Sequence, residues 1–129
     1  MFKRFFRKRN QQVLSKFKQE HIILHSFGPN FFGQESMRYK QVRGNGVLVL
    51  TGDELYFEMY VPKKIFSFPI KSIKSVDTVK SFLGKTKFSP LLRISFINDR
   101  GQEDSAAWRL GDLDVWLTRL QQVIEMKDK

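Results

Sequence analysis

Cations and aromatic rings alternate along the first 20 residues. Lys3, Arg4, Arg7, Lys8, Arg9, Lys16 and Lys18 stand against Glu20 alone, which places +6 of the chain's formal +10 in this stretch. Phe2, Phe5, Phe6, Val13, Leu14 and Phe17 are interleaved with them. The chemistry open to such a mixture is non-covalent. It neutralises an anionic surface and offers rings to something apolar beside it, as at the headgroup boundary of a bilayer. Phe2, Phe5, Phe6 and Phe17 are the candidate inserting side chains, and Lys3, Arg4, Arg7, Lys8 and Lys16 the candidate contacts to anionic headgroups. Each cation near an anionic leaflet contributes about 1 kcal/mol, so the attachment expected is reversible and sensitive to salt. Two other outcomes fit the same residues. The rings can dock on the rest of the chain or on a second copy, or the cations can meet an acidic protein. A nucleic acid fits less well, because no strand alternates aromatic and basic residues on one face as single-strand binders do.

A second basic run lies between Val61 and Arg93, where Lys63, Lys64, Lys71, Lys74, Lys80, Lys85, Lys87 and Arg93 face Asp77 alone. Lys63, Lys64, Lys85 and Lys87 fall on predicted loops and are candidates to extend the anion-contacting surface. From Ile94 onward acids outnumber bases, so the molecule is expected to have a basic and a mildly acidic side. His21 and His25 are four apart, on one face of a strand, but no cysteine exists and no carboxylate stands at ligand spacing, so they are read as structural or surface histidines. No nucleophile–base arrangement, phosphate-cradling P-loop or paired carboxylate is present. Gly44-Asn45-Gly46 precedes a strand, not a helix, and is no dinucleotide fingerprint. The expectation is a binding protein with no catalytic residues, no metal and no cofactor.

Holding these residues in place requires one compact domain, which 129 residues with 41% hydrophobic content can build without staples. The absence of cysteine fits a reducing cytoplasm. No apolar run approaches the ~20 residues that cross a bilayer, and the basic N-terminus lacks the apolar stretch of a signal peptide. The expected location is therefore cytoplasmic, with any membrane contact peripheral, at the inner face.

On a helical wheel Phe2, Phe5, Phe6, Val13 and Phe17 share one side and Lys3, Arg4, Arg7, Lys8, Lys16 and Lys18 the other. Residues 1–19 are thus predicted as a basic amphipathic helical arm, with Arg9 intruding on the apolar stripe. From His21 the period becomes that of strands: 21–27, ending at the Gly28-Pro29-Asn30 turn signal, then 46–51, 55–60, 64–68, 73–79, 92–96 and 103–110. Residues 34–45 and 81–90 are read as connections. Leu113, Trp116, Leu117, Leu120, Val123 and Ile124 then follow helical spacing, with Asp112 as cap and Asp114 suiting the dipole. About seven strands and one helix describe a mainly β barrel or sandwich whose end is plugged by Leu113, Trp116 and Leu120. The domain is assigned to 20–125, with 126–129 as a tail.

The stretch Asn30-Phe31-Phe32-Gly33, followed by Gly44-Asn45-Gly46-Val47-Leu48-Val49-Leu50-Thr51-Gly52-Asp53-Glu54-Leu55-Tyr56-Phe57, resembles the GRAM-type pleckstrin-homology-like (PH-like) domains, which run approximately G-x-L-x-L-T-x-x-x-L-x-F. Residues 66–76 fit that family's I-P-L-x-x-I-x-x-V strand pair. Leu91 to Ile94, Asp99-Arg100-Gly101 and Trp116 continue the resemblance, so that it covers 20–124. It implies a seven-stranded barrel capped by a C-terminal helix and a non-enzymatic adaptor role toward membranes, lipids or proteins. The inositol phosphate motif of many such domains does not map, because the strand 46–51 carries no cation and only Arg38, Lys40 and Arg43 precede it.

Overall fold

Seven antiparallel strands and two helices make up the computed structural model, which describes residues 6–82 and 85–127; the side chains of 38–40 and 85–89 lie outside the description. Helix α1 spans Arg7–Leu14. The strands are β1 (Ile22–Gln34), β2 (Gly44–Thr51), β3 (Glu54–Met59), β4 (Lys64–Pro69), β5 (Ile73–Phe82), β6 (Lys85–Ile97) and β7 (Glu103–Arg109), and helix α2 spans Leu113–Lys127. They form one sheet in the order β4-β3-β2-β1-β7-β6-β5.

The expected barrel is not closed. β4 and β5 are the two edges of the sheet, and among the described residues no ladder joins them. A 3-10 turn, Ile70–Ser72, carries the chain between them with Ile70 buried. The last turn of α2 covers this seam, where the Lys127 ammonium donates to the carbonyls of Ile70 (3.1 Å) and Ile73. A cation at a helix C-terminus that also satisfies orphan carbonyls suits the local dipole.

Alternation along the strands sends Phe31, Leu48, Leu50, Leu55, Phe57, Phe68, Leu92, Ile94 and Trp108 to one concave face, where they form the main core with Trp116, Leu120, Val123 and Ile124 of α2. Trp108 sits at its centre, tilted or edge-on to Phe31 (5.4 Å), Phe57 (6.0 Å) and Phe68 (5.7 Å). Trp116 is fully buried, and its indole N–H donates to the Ser26 hydroxyl at 2.8 Å. The plug expected of this helix is therefore formed by Trp116 and Leu120, with Leu113 half-buried beside them.

Two sequence expectations change. Gly28-Pro29-Asn30 does not end a strand. It is a bulge inside a continuous β1, because Gly28 at φ +99 and a proline without an N–H kink the strand while the chain keeps its direction. The stretch 81–90 is not a free loop either: β5 runs to Phe82, β6 starts at Lys85, and Ser81 pairs with Thr86. Close approach of β2 to β3 depends on Gly46, where a Cβ would lie 2.2 Å from the Glu58 carbonyl oxygen.

Candidate functional site

Most of β2 is apolar on both faces. Leu48 and Leu50 point into the main core, while Val47 and Val49 are fully buried on the opposite side of the sheet. An antiparallel sheet ordinarily leaves that second side to water. Here α1 covers it. Val13 of α1, 1% exposed, packs with Val47, Val49, Tyr56 and Tyr60, and Phe6, Leu14, Phe17 and Ile22 flank them. The Phe6 ring stacks flat on Tyr60 at 3.9 Å, and Phe17 meets Tyr56 edge-on at 5.2 Å. Such aromatic pairs add about 0.5–1.5 kcal/mol beyond their area.

The helix has no side-chain N-cap and only eight residues. Isolated helices shorter than about 12–15 residues are marginal in water, so contact with the sheet is what holds α1 in its fold. The centre of that contact is Glu58, which projects from β3 between Tyr56 and Tyr60 and is 2% exposed. Its Oε1 accepts from the Lys16 ammonium at 2.6 Å and from the Tyr56 hydroxyl at 2.7 Å, and its Oε2 accepts from the Arg9 guanidinium at 3.1 Å. Arg9 also donates to the carbonyls of Tyr60 (2.8 Å) and Met59 (3.0 Å), where β3 runs out. The Tyr60 hydroxyl donates to Asn10 Oδ1 at 2.5 Å. A buried carboxylate is tolerable only when paired and hydrogen-bonded, and three donors meet that condition here.

The titration of this cluster follows from its geometry. Burial pushes the Glu58 carboxyl up, but hydrogen bonds from Lys16, Tyr56 and Arg9 outweigh burial and hold it below its ordinary 4.5. The hydrogen bond to Glu58 raises Lys16 above 10.5. Burial raises the Tyr56 and Tyr60 hydroxyls.

The sequence-predicted contact residues are therefore divided. Phe6 and Phe17 face the sheet, so their entry into a bilayer would require α1 to leave it. Lys16, assigned outward by the helical wheel, turns inward to Glu58. The helix ends at Leu14, and the 100° spacing no longer applies beyond it. Arg9, the apparent intruder on the stripe, is a principal anchor. Arg7, Lys8 and Lys18 are exposed. Phe2, Phe5, Lys3 and Arg4 lie outside the described residues. Lys63 and Lys64 are exposed at the β3–β4 turn, whereas Lys85 and Lys87 begin β6 on a different hairpin. His21 and His25 are exposed, and no group of three His, Asp or Glu stands together among the described residues. No helix among the described residues is long and apolar enough to cross a membrane.

Glu58 and its tyrosines were missed by sequence reasoning. A lone acid in a strand reads as a solvent-facing residue. The signal that pointed to it was the unbroken run Val47 to Leu50, which demands a cover on both sides, together with cations in an arm that must dock somewhere.

No protein-family model matches the chain, and no curated protein matches it. Solved structures do share its fold. A chain in the structure of the 8S snRNP assembly intermediate superposes with a TM-score of 0.60 at 8% identity, covering 84% of this chain and 83% of that one. The C-terminal domain of an unknown protein from Leishmania infantum superposes with a TM-score of 0.57 at 17% identity, covering 96% and 98%. At these identities the likeness is one of fold.

Proposed function

We propose that the chain is a non-enzymatic, PH-like binding module in which the N-terminal helix is part of the folded unit, and that it acts as an adaptor toward an acidic partner. The PH-like reading is supported by the strand order with a single C-terminal helix and by the motif resemblance of 20–124. The observation that carries the adaptor reading is the grip of Arg9 and Lys16 on buried Glu58. It assigns the rings of Phe6 and Phe17 to the sheet and leaves Arg7, Lys8 and Lys18 facing outward. Deleting residues 1–19 tests it. The deletion is expected to lower the melting temperature and to make the protein self-associate through the bared Val47, Val49, Tyr56 and Tyr60, with no change in lipid binding. Unchanged stability and size would end this reading.

The outward cations favour a second reading, peripheral attachment to an anionic membrane on its cytoplasmic side, with the arm still docked. Sedimentation with anionic and neutral vesicles separates the two. Pelleting that needs anionic lipid, falls with salt and is lost on reversing Arg7, Lys8 and Lys18 to Glu supports the membrane. Salt-resistant pelleting would instead restore insertion of Phe2, Phe5, Phe6 and Phe17.

A further inference from the structure

β1 and β7 run together only from Asn30, opposite Arg109, to Gln34, opposite Ala106. On the N-terminal side of that point the Gly28-Pro29 bulge turns β1 away. Its new course is fixed by the Asn45 amide, which donates to the Gly28 carbonyl at 2.7 Å. A cleft of about 650 Å³ opens between β1 and the β7–α2 connection, with α1 along its rim. That volume lies within the range of roughly 300–1,000 Å³ of small-molecule sites.

Three different parts of the chain bring charge to this cleft: Arg7 from α1, Arg109 from the end of β7, and Asp112 from the approach to α2. Among the described residues, neither guanidinium has a hydrogen-bond or ion-pair partner. This contrasts with Arg9 and Lys16, two cations of the same arm that both donate to Glu58. The exposed ring of Phe27, 42% accessible, gives the cleft an apolar flank. Two exposed arginines from separate elements outweigh the single carboxylate, and their planar forks match the oxygens of a tetrahedral anion.

We propose that this cleft binds a phosphate monoester, its phosphate gripped between Arg7 and Arg109 and the group it esterifies resting against Phe27. The site is complete only while α1 is docked, because docking is what brings Arg7 to it. Glu58 therefore acts here as a positioning residue. The proposal rests on the docked α1 that the adaptor reading also uses, but not on that reading's acidic partner; Arg7→Gln and Arg109→Gln test the ligand with the clamp left intact.

The test uses the full chain labelled with ¹⁵N. It is titrated with inorganic phosphate and phenyl phosphate at constant ionic strength against chloride, and mixed separately with vesicles containing phosphatidic acid or, as a diester control, phosphatidylglycerol. Saturable amide shifts at Phe27, Gly28 and Gly111 are expected, tighter for phenyl phosphate than for inorganic phosphate. Arg109→Gln and Arg7→Gln should each weaken binding by about tenfold at an unchanged melting temperature. Arg9→Gln combined with Lys16→Gln, which frees the helix, should weaken it as well although Arg7 remains. A response to phenyl phosphate but not to phosphatidic acid makes the ligand a soluble monoester; a preference for phosphatidic acid over phosphatidylglycerol makes it a headgroup. Shifts that chloride reproduces, or that survive both arginine substitutions, or no response to any probe, would overturn the proposal.

Discussion

The two faces of the β1–β3 half of the sheet are held together on opposite terms. The concave face contributes Phe31, Leu48, Leu50 and Phe57 to the aromatic and aliphatic core that Trp108 of β7 completes. The convex face is a smaller cluster of one helix on two strands, built around an ionised Glu58. The first is stable wherever its area stays out of water. The second also requires that a charge remain charged and paired, so the same sheet carries one unconditional and one conditional attachment.

That difference is open to direct attack. Trp108→Ala removes the centre of the main core and is expected to cost about 3–5 kcal/mol in denaturant unfolding. Arg9→Met with Lys16→Met strips Glu58 of its cations. Removing a partner from a buried ion pair can cost about 3–5 kcal/mol where nothing relaxes, but here α1 can lift and let water reach the carboxylate. The expected loss is therefore smaller, about 1–3 kcal/mol, with the near-ultraviolet signal of the Phe6–Tyr60 stack lost before global unfolding. A cost equal to that of Trp108→Ala would show that the arm and the core are one cooperative unit and would erase the contrast.

Acidity sharpens the comparison further. A carboxyl held below 4.5 in the folded protein contributes stability that is present above 4.5 and is lost as pH falls through its folded value. Lys16, held above 10.5, contributes below 10.5 and loses that contribution as pH rises through its own folded value. Docking of α1 is thus expected to hold over the range between these limits and to weaken at both ends. Asp104 is also held low, since hydrogen bonds from Ser36, Gln34 and Asn98 outweigh its burial, so acid loosens the β7 region in parallel. Glu58→Gln separates the two: it should remove the acid dependence of the Phe6–Tyr60 signal and leave that of global unfolding. The smallest effect is expected from Arg93→Ala, which breaks a half-exposed, bidentate pair with Asp77 (2.9 and 2.6 Å) and should change stability by about 1 kcal/mol.

What the sequence made legible follows the strength of local periodicity. Alternation in Leu92, Ile94 and Phe96 and helical spacing from Leu113 to Ile124 located β6 and α2, and both tryptophans lie in the core as their size demands. Turn chemistry was less informative. Gly28-Pro29 signals a kink, and only tertiary pairing decides whether a kink reverses the chain or merely bends it. The polar stretch 81–90 hid strand structure because backbone pairing needs no apolar side chain. Barrel closure was expected from strand count, yet strand count does not specify whether the two edges meet. The candidate site was the least legible part. The grip on Glu58 joins residues 42 and 49 positions apart, a distance at which no local pattern operates.

The Trp116–Ser26 hydrogen bond spans 90 positions of sequence. Among the described residues, the half of β1 before the bulge pairs with β2 on one side and with no strand on the other, and the Trp116 indole of α2 reaches it there. Loop-closure entropy must be met before so distant a contact rewards it, so this hydrogen bond belongs with the non-local pairings that slow folding rather than with the local ones that speed it.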